Sequence, residues 1–204
     1  MSKKVNRKAI VIIVAVVAVI SIISGTLAWF VTDSSLSQKF SVGGIKVSAD
    51  VYFDNNGTKV SSNEYKDENG LYNLSLNKKD ANYIGNLRVC VKKTGSKSLL
   101  RVKMIYEWTN ADGEIVQYKV SVPYKFNQYW FDNRDNDYCV YYQGKDKSGK
   151  ADFTSYELIE GFNGYELDKS GFTDGTSVRA LIEIDAVEVN RYPQIWNIEK
   201  LPWD

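Results

Sequence analysis

Glu183 and Asp185, in Ile182-Glu183-Ile184-Asp185, form a candidate carboxylate pair. Glycoside hydrolysis needs two carboxyl groups facing each other across a sugar, whereas residues i and i+2 of a strand point the same way. The flanking isoleucines put both acids on the solvent side of one strand, where they need no catalytic explanation. The chain contains no histidine. That excludes Ser-His-Asp and Cys-His nucleophile pairs, HExxH zinc sites and imidazole proton shuttles. Carboxylates, lysines, tyrosines and two cysteines remain, and no catalytic set, metal site or cofactor is expected.

The acidic stretch Asp132-Asn133-Arg134-Asp135-Asn136-Asp137 supplies oxygens of the kind calcium takes. It lacks the Asp-x-Asp-x-Asp-Gly order of an EF-hand loop, and Arg134 brings a competing cation, so a polar hairpin tip is the expectation. Cys90 and Cys139 are the only thiols. An even count in an exported chain favours a disulfide, and two small buried core residues are the alternative. In Arg88-Val89-Cys90-Val91-Lys92, Cys90 shares a face with two cations, which sets it apart from ordinary core filling. The 14 tyrosines and 5 tryptophans would suit sugar stacking or interface anchoring, but aromatics are also favoured in strands; an exposed role is expected only for Tyr141-Tyr142.

The elements that must position these residues are strands. Ile45, Val47, Ala49, Val51 and Phe53 alternate with polar neighbours, as do Leu100 to Trp108, Val116 to Tyr124 and Val178 to Ile184. Period two marks strands with one face buried, and the polar partners mark antiparallel sheets rather than parallel ones. Asn55-Asn56-Gly57, Lys93-Thr94-Gly95-Ser96 and Asn110-Ala111-Asp112-Gly113 punctuate the runs. The last predicts a hairpin of 99–109 with 115–126, and a second hairpin is expected between Tyr129–Phe131 and Tyr138–Tyr142. Asp152–Glu160 is read as a short helix. The expected fold is all-β, an antiparallel two-sheet sandwich of jelly-roll type, preceded by one N-terminal hydrophobic helix.

That helix begins after Lys3, Lys4, Arg7 and Lys8, and no charged side chain occurs again until Asp33. A basic flank before an apolar run directs the downstream chain out of the cytoplasm. Residues 9–23 fit a signal-peptide core, with Thr26 and Ala28 at the minus-three and minus-one positions of a cut before Trp29. Residues 9–31 also fit an uncleaved tether of about 20 residues with Trp29 at the interface. Helix-weakening Ser24-Gly25-Thr26 favours the cut. Losing the leader lowers the cations from 26 to 22 against 25 acids, so the remainder is near minus three. Such a surface is not built to gather nucleic acid. Residues 1–28 are then the signal peptide, 29–39 an N-terminal segment and 40–204 the sandwich. Asn56-Gly57-Thr58 and Asn73-Leu74-Ser75 are formal glycosylation sequons.

Three stretches are similar to a known family. Gly25-Thr26-Leu27-Ala28-Trp29-Phe30 with an acid soon after, then Phe40-Ser41-Val42-Gly43-Gly44-Ile45-Lys46-Val47, resembles the start of the TasA/camelysin family; Leu87 to Ser96 and Ser177 to Val187 resemble its later strands. The resemblance is close over the first fifty residues and extends to the rest only in pattern. It implies export through a specialised signal peptidase, a jelly-roll domain at the cell surface, and members that polymerise into biofilm-matrix fibres. In those members the new N-terminus is donated as a strand to a neighbour, which here would be Trp29, Phe30 and Val31 within Trp29 to Lys39. The metalloprotease activity described for camelysin-like members is not carried over, because this chain has no histidine to hold zinc. The expected function is a secreted, non-enzymatic fibre subunit whose partners are its own copies, a signal peptidase and an accessory matrix or anchoring protein. The alternative is a membrane-tethered cell-surface module that binds sugar or protein.

Overall fold

The computed structural model describes residues 39–42, 44–110, 112, 114–118, 122–162 and 177–204, all within a compact unit running from Ser37 to Asp204. The leader, the cleavage residues Thr26, Ala28 and Trp29, and the segment Trp29, Phe30 and Val31 lie outside the described residues. Among the described residues no helix is long and apolar enough to cross a membrane.

The described residues form two antiparallel sheets and a small ribbon. The first sheet is ordered β1 (Lys39–Val42), β2 (Ile45–Asn55), β5 (Leu87–Thr94), β11 (Ser155–Glu157), with β3 (Thr58–Ser61) on the same edge of β2 as β1. The second is β4 (Tyr72–Leu74), β13 (Ser177–Glu188), β6 (Ser98–Thr109), β10 (Cys139–Tyr142), β9 (Trp130–Asp132), with β7 (Ile115–Tyr118) beside β10 on the edge of β6. The ribbon pairs β8 (Tyr124–Phe126) with β12 (Ile159–Phe162).

Period-two patterning builds the core. Ile45, Val47, Val51 and Phe53 of β2 and Leu87, Val89 and Val91 of β5 meet Val102, Met104, Tyr106 and Trp108 of β6 and Val178, Ala180, Ile182 and Ile184 of β13 in one buried cluster. Each fully buried aliphatic side chain contributes roughly 1.5–3 kcal/mol through water exclusion. One flank of the sandwich is closed by backbone: Leu158 N donates to Val89 O of the first sheet, and Asn127 N, between β8 and β9, donates to Leu158 O, both at 2.9 Å.

The hairpin of β6 with β7 and the hairpin of β9 with β10 form as the sequence predicts. Two expectations are corrected. The strand expected over 115–126 is not continuous; Tyr124–Phe126 belongs to the ribbon, and Pro123, which has no N–H for a ladder, stands just before it. Asp152–Glu160 is not a helix. Ser155–Glu157 extends the first sheet and Ile159 starts the ribbon, the alternation of Tyr156 and Leu158 serving two different surfaces.

Candidate assembly edges

In a sandwich the unpaired strand edges are the surfaces most ready to pair with another chain. The first such edge borders the strand leading out of the described fold toward the N-terminus. β1 pairs antiparallel to β2, Val42 with Ile45 through Lys39 with Ser48. Each step back along β1 moves one step forward on β2, so a strand prolonged upstream in this register would meet Ala49, Asp50 and then Val51. There the path is blocked. β3 occupies the same edge from Tyr52↔Ser61 to Asn55↔Thr58, and the Ser62 hydroxyl donates to Val51 O. The turn that folds β3 back uses Asn56 at φ 53° and Gly57 at φ 87°, the left-handed pair that an Asn-Gly hairpin requires. A strand running upstream from β1 therefore cannot continue along its own sheet beyond about three residues.

The second edge is on β13. All twelve of its residues pair with β6, from Ser177↔Thr109 to Glu188↔Ser98. On its other side β4 pairs only Val178, Arg179 and Ala180. From Leu181 to Glu188 that side has no strand partner among the described residues. The outer edge of β4 itself is covered by the Lys66↔Tyr72 bridge and by Asp67 N donating to Leu71 O. β11 runs into the closed flank. The inner side chains of the open stretch, Ile182, Ile184 and Ala186, are buried, and Leu181, Glu183 and Asp185 are half-buried on the outer face.

The structure places Glu183 and Asp185 on the outer face, Asp185 held by Arg101 at 3.0 Å and Glu183 opposite Lys103. The acidic stretch forms a short helix, α1 (Arg134–Asp137), in the β9–β10 connection. Arg134, buried, clamps Asp132 with two bonds of 2.8 Å, donates to Val122 O at 2.9 Å and lies 4.6 Å over the Phe126 ring. The cation is the organiser of the turn. Burial opposes its charge, and the bonds to Asp132 more than restore it. Among the described residues no group of His, Cys, Asp or Glu is arranged to hold a metal ion. Asn56 and Asn73 of the two sequons are exposed.

The disulfide candidate is corrected. Cys90 and Cys139 are both free thiols. Cys90 is on the outer face of the first sheet, 3.1 Å from the Ser155 hydroxyl, and Cys139 is on the outer face of the second, so a two-sheet core separates them. The exposed Tyr141-Tyr142 face is corrected too. β10 is an interior strand; Tyr142 points inward onto Phe153 and Trp130, and Tyr141, 1 % exposed, is roofed by Trp196 and Trp203.

That roof is the feature the sequence reading missed. After β13 the chain turns through α2 (Tyr192–Trp196) and runs as a strap to Asp204. Trp196, Leu201 and Trp203 pack on Leu99, Cys139, Tyr141 and Val187 of the second sheet. Arg101 lies 4.6 Å over the Trp196 ring, and Trp203 Nε1 donates to Lys147 O at 2.7 Å. Two tryptophans, a proline and a leucine within the last eleven residues were the available signal. Set against protein-family models, curated proteins and solved structures, the chain finds no match in any of the three.

Proposed function

We propose that the protein is a secreted, non-enzymatic structural subunit: exported, cut after Ala28 by a signal peptidase, closed as a jelly roll and assembled head to tail into an extracellular matrix-type fibre. The segment from Trp29 to Lys39 is the donated strand, and its partner is an open sheet edge of the next copy. An accessory protein anchors the fibre at the cell surface. The reading rests above all on the blocked edge of β2. Once it meets Val51, an upstream strand in that register has no further place on its own sheet, because β3 and Ser62 already use it. After cleavage, Trp29, Phe30 and Val31 stand at the new N-terminus, where apolar side chains and unpaired backbone are both relieved by joining another sheet.

The test compares chains starting at Trp29 and at Lys39, the shorter one keeping all of β1. Electron microscopy should show filaments for the first and monomers for the second. N-terminal sequencing of the exported protein should read Trp29. Monomeric behaviour of the longer chain, or a start at Met1, defeats the proposal and leaves the tethered module.

A further inference from the structure

The strand-donation reading leaves open which edge receives the strand and what keeps such an edge from pairing with its own kind. The open stretch of β13 is eight residues, Leu181–Glu188, about 26 Å at roughly 3.3 Å per residue. The segment from Trp29 to Gln38 is ten residues, able to reach about 33 Å. It is long enough to cover that edge in full. Among the described residues no other unpaired edge offers more than four consecutive positions, as on β3 and β7.

The outer side chains of the open stretch define what it accepts. Across the sheet, Arg101 is followed by Asp185, and Lys103 by Glu183; among the described residues no strand is paired beyond them, although β1 lies close to β13. A third strand there would place its own side chains directly against the two acids. Two copies of the edge meet a penalty in the registers that overlap it most fully. An antiparallel pairing centred on Ile184 sets Glu183 against Asp185 of the partner subunit, and one centred on Asp185 sets that residue against its twin. Like charges directly opposite each other destabilise a ladder. Registers shifted by a single residue instead bring the outer face of one strand against the inner face of the other. A strand of hydroxyl and amide side chains meets no such opposition. Between Val31 and Lys39 the chain reads Thr-Asp-Ser-Ser-Leu-Ser-Gln, where Asp33 is the single charge, and a register that sets Ser35 and Ser37 opposite the two acids keeps Asp33 away from both.

We infer that the Leu181–Glu188 edge of β13 is the acceptor for residues 29–38 of a second copy, and that Glu183 and Asp185 set its specificity by rejecting another β13. This rests on the strand-donation reading. Hydrogen exchange of the chain starting at Trp29, assembled, is compared with the same chain carrying Phe30→Pro and Thr32→Pro, which deny the segment its ladder N–H groups. The expected result is filaments only without the prolines, with backbone amides of 181–188 exchanging at least tenfold more slowly there. Filaments without added protection at 181–188 overturn the acceptor assignment and leave strand donation standing. Filaments formed despite the prolines overturn strand donation itself. Protection of 181–188 in a monomer of the unsubstituted chain shows the edge filled by its own N-terminus and overturns the second copy as occupant. The role of the acids is read in the proline-bearing chain: adding Glu183→Gln and Asp185→Asn should tighten self-association on the order of tenfold in sedimentation. Unchanged self-association of the quadruple variant overturns it.

Discussion

The two outward faces of the sandwich carry one cysteine each, and the two thiols have different surroundings. Cys90 is half-buried among Ser155, Glu157 and Lys92 on a face of ion pairs: Lys59 and Lys92 both reach Asp50, at 2.9 and 3.1 Å, and Tyr52 donates to Glu157 at 2.7 Å. Cys139 is 3 % exposed beneath the C-terminal strap, with Leu99, Tyr141 and Trp196 around it. The first face is finished with charge and left open to water. The second is finished with aromatic rings supplied by the end of the chain. Interactions of exposed ion pairs are worth little because water screens them, whereas a buried ring removes a large area from water. The C-terminal sixteen residues are therefore a structural layer, and the outer face of the first sheet is a tolerant surface.

The comparison breaks most readily at Trp196. Replacing it with alanine empties the space against Tyr141 and Arg101, and urea denaturation should show a loss of about 3 kcal/mol. A loss below about 1 kcal/mol would mean that the strap merely rests on the sheet. Thiol labelling sharpens the same contrast. In the folded protein a maleimide should modify Cys90 while sparing Cys139, and Trp196→Ala should bring Cys139 into reach; equal labelling of both in the unsubstituted protein would place the strap off the sheet.

Next in size is an alkaline effect. Burial, then the nearby Asp137 carboxylate, push the Cys139 thiol up to about 12 from an ordinary value of 9.0. The unfolded chain loses this proton first, so the stability tied to the protonated thiol is whole below pH 9 and is lost as pH rises toward 12. Denaturation between these limits should show a steeper decline for the natural protein than for Cys139→Ala, and parallel curves would refute the assignment. On the open face the effects shrink. Tyr52→Phe, which removes one hydrogen bond, should cost about 1 kcal/mol. Asp50→Asn should cost about 0.5 kcal/mol or less. Burial opposes the Asp50 charge, but bonds to Lys59 and Lys92 outweigh it and hold the carboxyl below its usual range. Its small contribution is accordingly present at neutral pH and disappears in acid, as pH falls through that lowered value; a stability difference from Asp50→Asn that grows on acidification would contradict this.

The residues that alternate most regularly were the legible ones. Ile45 to Phe53, Leu100 to Trp108 and Val178 to Ile184 each repeat at period two for long enough to name a strand and its buried face, and Asn56-Gly57 names its turn. What escaped was decided by pairing at a distance. Nothing local to Tyr141 reveals that the chain returns sixty residues later to cover it, and Tyr141-Tyr142 looks the same whether exposed or roofed. Cys90 and Cys139 each keep to their strand's alternation, yet which sheet each strand joins is a matter of topology. The block on β2 was hidden for the same reason, since Ser62 and β3 matter only once their partner strand is known. Arg134 was visible as a lone cation among acids, but its direction inward depends on Val122 and Phe126.

The Gly44 turn that closes β1 onto β2 is seated against the Gly95 turn between β5 and β6, so closely that a Cβ at Gly95 would come 2.1 Å from the Gly44 carbonyl oxygen. Lys39 lies at the end of β1 away from the Gly44 turn. Pulled lengthwise, the Lys39–Val42 ladder is loaded in shear, its rungs straining together instead of peeling one by one. Load applied at Lys39 along β1 would act in the direction in which paired strands resist rupture best.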